Sequence, residues 1–207
     1  MTEFVFIRHG ETDWNRQQRF QGQIDVPLNA AGQAQAERLA ARLAATPADL
    51  LYTSDLQRAR QTAAPLAQAW GLQAQPLPAL REQGFGILEG VELAAVPSLH
   101  PDLWAQWLVH QADFALPGGE SLRQFHDRVI AGVHELADRH RGASVAVVTH
   151  GGVLDMLWRH AKGLPLDGRR DCAIPNTGIN RVRWHGGQLA IERWGDAAHL
   201  DGGEVLG

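Results

Sequence analysis

Phe4-Val5-Phe6-Ile7-Arg8-His9-Gly10 stands near the start of the chain, and its reading decides the fold. Four consecutive apolar side chains on an extended backbone point alternately to two faces. Both faces must therefore be covered, as in a strand buried inside a parallel sheet. Arg8, His9 and Gly10 follow at once and mark the carboxyl end of that strand. Ser144-Val145-Ala146-Val147-Val148-Thr149 is a second, stronger strand, and it too runs straight into histidine and glycine, His150-Gly151-Gly152. Ligands of open α/β sheets sit at the carboxyl ends of the strands. Glycine at such a point lets the backbone turn tightly and lets a ligand approach the main chain.

The intervening sequence supplies the other layers. The alanine-rich segment from Leu28 to Ala45 carries Leu39 and Leu43 at helical spacing, with Asn29 and Gly32 at its start. Leu50-Leu51-Tyr52 predicts a short strand, followed by a helix capped by Ser54 or Asp55 that runs to about Trp70. Gln73 to Leu77 is expected to be a third strand. Pro117 to Ser121 reads as a turn into a long helix with Leu122, Phe125, Val129, Val133 and Leu136 on its apolar side. A helix is expected from about Val153, and Ile179 to Trp194 predicts a hairpin turning at Gly186-Gly187. Strands alternating with helices imply one α/β domain over residues 1–207, with a mostly parallel central sheet flanked by helices. Between Arg81 and Glu120 glycine and proline are frequent and periodicity is weak apart from Leu99 to His110. Residues 83–120 are therefore expected to form an insertion of helix and loop over the active-site face.

The net charge of −4 argues against a general nucleic-acid binder. The apolar run at Phe4 to Ile7 is too short for a signal segment, and no stretch reaches the length of a membrane span. A cytoplasmic enzyme without nucleic-acid or membrane partners is the expectation. Cys172 is the sole cysteine, so neither an internal disulfide nor a thiolate zinc site is available. His126, His134 and His140 fall along one helix, but their spacing does not put all of them on one face, and a solvated face is expected there rather than a metal site.

If the two strand ends are neighbours, His9 and His150 face one pocket. Arg8 adjoins His9, and Arg58, one turn into its helix, points back toward the strand edge. Guanidinium forks match phosphate oxygens, and backbone N–H groups near Gly10 and Gly151 add donors. Taken singly, each residue has an ordinary structural use: a hydrogen-bonded histidine, a solvated arginine, a helix cap. Two strand-end His-Gly pairs joined by an adjacent arginine are hard to explain by packing, and they point to an anion site.

On these residues the chain resembles the histidine phosphatase superfamily, which includes cofactor-dependent phosphoglycerate mutases and many phosphatases. The resemblance rests on Arg8-His9-Gly10-Glu11-Thr12 with Trp14-Asn15, Gln21-Gly22, Asp25-Val26-Pro27-Leu28, Ser54 to Ala63, Leu80-Arg81-Glu82 and Thr149-His150-Gly151. It implies that His9 attacks phosphorus and becomes phosphohistidine, which needs an unprotonated ring nitrogen. It also implies that Arg8, Arg58 and His150 hold the phosphoryl oxygens, with Asn15, Gln21, Gly22 and Gly151 as further ligands. Glu82 is implied as the general acid, then the base that activates water; Glu11 is the lower-ranked alternative. No metal or organic cofactor is expected, and the substrate is a small phosphorylated molecule.

Glycolytic mutases that resemble this chain carry Glu-Arg-x-Tyr-Gly-x-Leu-x-Gly-x-Asn-Lys after the acid. Here Gln83 replaces the arginine, Phe85 the tyrosine, and Glu92-Leu93 the Asn-Lys pair, while Glu89 adds a carboxylate. Groups that would bind a second anionic end are missing, so phosphomonoester hydrolysis is the expected reaction. Cofactor-dependent phosphoglycerate mutase is the alternative, and only that reading would bring in 2,3-bisphosphoglycerate. An α-ribazole phosphatase is a further alternative, disfavoured by Leu88 where those enzymes often have tryptophan. A non-catalytic phospho-ligand binder ranks last, because both nucleophile and acid are retained. Trp104 and Trp107, with Leu103 and Leu108, either roof the leaving group or pack the insertion onto the domain. An exposed apolar C-terminal hairpin would be compatible with a homodimer, and the sequence leaves the oligomeric state open.

Overall fold

A computed structural model describes residues 1–201. In chain order its elements are β1 (Thr2–Arg8), α1 (Asp13–Arg16), α2 (Ala30–Leu43), β2 (Leu50–Thr53), α3 (Gln57–Trp70) and β3 (Ala74–Pro76). There follow α4 (Val96–Leu99), α5 (Pro101–Leu108), α6 (Leu122–Arg139), β4 (Ser144–Thr149), α7 (Gly151–Lys162), β5 (Ile179–His185) and β6 (Gln188–Asp196). The strands form one sheet in the order β3-β2-β4-β1-β5-β6. The first four strands of that order pair in parallel, while β5 runs antiparallel to both β1 and β6.

Alternation along β1 divides the core as the sequence predicts. Phe4 and Phe6 join Val145, Val147, Val182 and the apolar side of α6 and α7 on one face. Val5 and Ile7 join Leu51, Ala146, Val148 and the buried stripe of α2 and α3 on the other. Each helix covers one face of a sheet that is apolar on both, which is why Phe4 to Ile7 of β1 and Val145 to Val148 of β4 are apolar without a break. A separate small cluster of Leu88, Val96 and Leu116 lies within residues 83–120, packed by Phe20, Phe85, Trp104, Trp107 and Phe114.

Several details depart from the sequence expectations. Neither Ser54 nor Asp55 caps α3; its N-cap is Leu56, which makes no side-chain capping bond. The Ser54 hydroxyl is engaged by His150 Nε2 at 2.7 Å, and Asp55 is engaged by Arg81. Helix α7 starts at Gly151 rather than Val153, so both glycines of the motif lie in its first turn. The hairpin does not expose an apolar face: Ile179, Val182, Trp184 and Leu189 are buried. His140 is not simply solvated, since Tyr52 Oη hydrogen-bonds to its Nε2 at 2.8 Å. Among the described residues no helix is long and apolar enough to cross a membrane, and no group of three or more metal-ligating side chains could hold an ion.

The loop after β1 is locked onto α2 through backbone. Asn29 caps α2 by accepting from Gly32 N, and its amide donates to Glu11 Oε1 at 2.8 Å. A Cβ on Gly32 would lie 2.0 Å from Glu11 O, and one on Gly10 would lie 2.6 Å from Gly32 O. Alanine normally stabilises a helical glycine position. Here Gly32→Ala is expected to destabilise by about 1–3 kcal/mol through overpacking, read as a lower denaturant midpoint at unchanged m-value.

Candidate active site

The parallel register carries the two histidines to adjacent positions. Arg8 lies beside Thr149 across the β1–β4 pair, and His9 N donates to Thr149 O at 2.8 Å. The His9 and His150 rings are 5.2 Å apart, centroid to centroid, and tilted by 58°. β2 lies on the other side of β4, and Ser54 N donates to Val148 O at 2.9 Å, which brings Ser54 against His150. After β3 the chain continues to Leu80 and then Glu82. Thr149 Oγ1 donates to Leu80 O at 2.8 Å and draws that segment to the same rim. Four parallel strands thus deliver their carboxyl ends to one pocket.

The tautomers follow from the partners. His9 Nδ1 faces Gly10 O at 2.7 Å, an acceptor only, so Nδ1 carries the proton and Nε2 keeps its lone pair. Both histidines are buried, and burial followed by the Arg58 charge holds each pKa well below the usual 6.5; Arg8 acts in the same direction on both. An unprotonated nucleophilic nitrogen is the outcome that phosphoryl attack requires.

The arginines are oriented by neutral acceptors. Arg58 is fully buried, with Nη1 donating to Ile24 O at 2.9 Å and Nη2 to Gly22 O at 2.8 Å. Arg8 Nη1 donates to Ile174 O at 2.6 Å. Its pKa is lowered to about 10, chiefly by burial and next by Arg170. Arg8 Nε, Arg58 Nε and His150 Nδ1 are buried without a protein partner among the described residues. Carbonyl partners orient a guanidinium without cancelling its charge, so the pocket stays strongly positive.

Asn15 and Gln21 lie at the pocket wall with Gly22. Both amide oxygens are taken by Thr12, whose N donates to Asn15 Oδ1 at 3.0 Å and whose Oγ1 donates to Gln21 Oε1 at 3.0 Å. The amide nitrogens of both are thereby left for other acceptors. Gly22 has φ of +50° and a Cβ there would meet Glu89 at 2.1 Å, so the turn requires glycine. Glu89 accepts from Gln23 N and Phe85 N, each at 3.0 Å, and ties this turn to the insertion.

Glu82 is held by backbone donors. Its Oε2 accepts from Gly152 N in the first turn of α7 at 3.0 Å, and its Oε1 from Gln83 N at 2.9 Å. A side chain at Gly152 would meet that carboxylate at 2.1 Å, which accounts for the second glycine of the motif. Arg128 fixes the segment from behind, donating to Ala79 O, Arg81 O and Glu82 O and pairing with Glu120 at 2.7 Å. Glu11 instead receives Asn29 on the far side of its loop and does not line the pocket.

The pocket containing Arg8, His9, Arg58, Glu82 and Gly151 has a volume of about 490 Å³. It adjoins a chamber of about 590 Å³ lined by Trp104, Trp107, Phe114, Leu116 and Phe125, and the two share Glu82, Phe85, Leu93, Trp107 and Arg170. Trp104 and Trp107 stack at 5.3 Å while Trp107 meets Phe20 edge-on, so the pair both packs the insertion and roofs the chamber. Arg8, His9, Asn15, Gln21, Gly22, Arg58, Glu82 and Gly151 line this one pocket, and His150 packs beside His9 against Ser54. Ser54 and Arg170 join them without having been assigned to the site; Ser54 had a competing use as a cap, and Arg170 lies in an aperiodic loop.

Neutral buried imidazoles tie stability to pH. Between the lowered folded pKa values and 6.5 the unfolded chain binds more protons than the folded one, so stability rises with pH. Their contribution is complete above 6.5 and is lost on acidification. Denaturant titrations at pH 7.5 and 5.5 are expected to show a smaller acid loss for His150→Asn than for the unsubstituted chain.

Comparison with known proteins agrees with this geometry. The family model of the histidine phosphatase superfamily (branch 1) matches residues 4–197. Phosphoglycerate mutase-like protein 4 of Arabidopsis thaliana is 36% identical over 203 residues, covering 96% of this chain and 87% of that protein. Metal-independent phosphoserine phosphatase of the same plant is 34% identical, covering 97% and 84%. The structure of mycobacterial glucosyl-3-phosphoglycerate phosphatase in complex with VO3 superposes with a TM-score of 0.83 at 28% identity, over 93% of this chain and 98% of that one. With a match that runs through every strand of the sheet, the chain belongs to the histidine phosphatase superfamily.

Proposed function

We propose that this protein is a metal-independent phosphatase that hydrolyses small phosphomonoesters through a phosphohistidine at His9. The observation that carries the reading is that His9, whose Nδ1 is taken by Gly10 O, and the Glu82 carboxyl line one cationic pocket, with Glu82 also bordering the apolar chamber. His9 Nε2 attacks phosphorus while the bond from phosphorus to the ester oxygen breaks. Glu82 supplies the proton to that departing oxygen and the alcohol leaves through the chamber. The Glu82 carboxylate then takes a proton from water, whose oxygen attacks phosphorus as the bond to His9 breaks. Arg8, Arg58 and His150 stabilise the charge on the phosphoryl oxygens in both transfers, with Asn15, Gln21 and the N–H of Gly151 as additional donors.

Hydrolysis is favoured over mutase chemistry by the segment that follows Glu82. Gln83, Phe85 and Leu93 line the chamber where the mutases carry arginine, tyrosine and lysine; its cations, Arg159, Arg169 and Arg170, come instead from α7 and the loop after it. Glu92 is directed to Arg19, which it pairs at 2.6 Å. A phosphatase activity also accords with the phosphoserine and glucosyl-3-phosphoglycerate phosphatases among the relatives. The mutase reading is supported by the mutase-like name of another relative. Phosphate release and isomerisation of 3-phosphoglycerate, followed together with bisphosphoglycerate and chelator present, separate the two. Free phosphate without 2-phosphoglycerate is expected; isomerisation outrunning release would establish the mutase.

His9→Ala is expected to abolish turnover of p-nitrophenyl phosphate while inorganic phosphate still binds, and retained turnover would remove the nucleophile assignment. Glu82→Gln is expected to lower kcat by about 10²–10⁴-fold on alkyl phosphates and far less on p-nitrophenyl phosphate, whose leaving group needs little protonation. Equal losses on both would assign the acid elsewhere.

A further inference from the structure

Arg170 stands between the two cavities and, among the described residues, is the one arginine that lines both. Its loop is fastened on either side of it. Arg159 Nη1 donates to Pro165 O at 2.8 Å and to Leu166 O and Asp167 O at 3.3 Å, and its Nη2 to Gly168 O at 3.1 Å. Ala112 N donates to Asp167 Oδ1 at 2.6 Å, which joins the loop to the insertion, and Trp158 Nε1 donates to Asp171 Oδ1 at 2.9 Å. Four carbonyls on one guanidinium are a large investment for a surface connection, and they leave Arg170 at a defined point of the rim.

That point is electrostatically awkward without an anion. The Cβ position of Gly151 would lie 3.4 Å from Arg8 Nε and 3.6 Å from Arg170 Nη1, so two guanidinium groups bracket the start of α7. Arg170 is the charge that most depresses the Arg8 pKa. The carboxylate nearest to Arg170 is Asp155, whose Oδ2 lies 3.8 Å from Arg170 Nε and 3.2 Å from Arg159 Nε. Shared in this way, Asp155 orients Arg170 more than it neutralises it. The Arg170 side chain keeps 44% of its surface exposed, so its fork is free to turn into the pocket.

We infer that Arg170 is a direct ligand of the substrate phosphoryl group, completing the phosphate pocket alongside Arg8. This rests on the phosphate pocket proposed above. A dianion between Arg8 and Arg170 converts their mutual repulsion into two attractions, and the planar fork suits a pair of phosphoryl oxygens. Because Arg170 also borders the chamber, it stands where the phosphoryl group and the alcohol part of the ester meet.

Calorimetric titration with inorganic phosphate and kinetics with p-nitrophenyl phosphate test the assignment. Arg170→Ala is expected to weaken phosphate binding and to lower kcat/KM by about 10- to 100-fold, the usual effect of removing a hydrogen bond to a charged group. Arg170→Lys is expected to recover part of that loss, since it restores the charge without the fork. The loss is expected to persist at 0.5 M salt, where long-range fields are screened. If Arg170→Ala melts early, Arg170→Met, which keeps the apolar stem, takes its place. Unchanged phosphate affinity in a folded variant, or a loss that disappears in high salt, would overturn the assignment. A protein that binds phosphate but hydrolyses no phosphomonoester would instead overturn the phosphatase reading, and the phosphate titrations of the variants would still decide the role of Arg170.

Discussion

The parallel pairing of β1 with β4, ended by the hydrogen bond from His9 N to Thr149 O, is the contact on which the site depends. Side chains alternate along a strand, so a shift of one residue in that register would turn Phe4 and Phe6 to the opposite face and separate the two imidazoles. The apolar content of both faces therefore sets the geometry of the polar end. Packing of Phe4 and Phe6 against α6 and α7, and of Val5 and Ile7 against α2 and α3, fixes the alignment of His9 with His150. The core and the site are consequences of one register.

A second constraint is the handling of charge. Arg8 and Arg58 are held by main-chain carbonyls, and the buried imidazoles stay neutral rather than adding to a field that already disfavours their protonation. Positive charge is concentrated where burial makes each interaction stronger than in water. The carboxylate that shares the pocket, Glu82, is tied to backbone N–H groups of Gly152 and Gln83. That arrangement keeps the guanidinium groups available to an incoming anion and holds the carboxyl at the boundary of the two cavities. Arg128, paired with Glu120, holds the Glu82 main chain from behind through protein contacts alone.

The insertion has a different physical basis. Its small cluster of Leu88, Val96 and Leu116 is covered by aromatic side chains, and its backbone passes close to itself where Gly86 and Gly119 meet. A Cβ on Gly119 would lie 2.6 Å from Gly84 O, so the approach excludes larger residues. Such packing leaves no periodic trace in the sequence. Trp104 and Trp107 could be read there either as core or as roof, and the folded chain uses them as both.

The sequence by itself determined the sheet-and-helix plan and the two His-Gly strand ends, and it nominated Arg8, Arg58, Asn15, Gln21 and Glu82, which the fold brings to one pocket. These features are local: alternation, helical spacing and glycine at a turn are written in neighbouring residues. The tertiary structure alone decided that Ser54 serves His150 instead of capping α3, that Glu11 turns away, and that the hairpin buries its apolar residues. It also decided that Arg170 reaches the pocket from a loop with no periodicity. Each of these depends on a partner more than ten residues distant along the chain, and a side chain with two competing uses is assigned only when the fold brings one of the partners within reach.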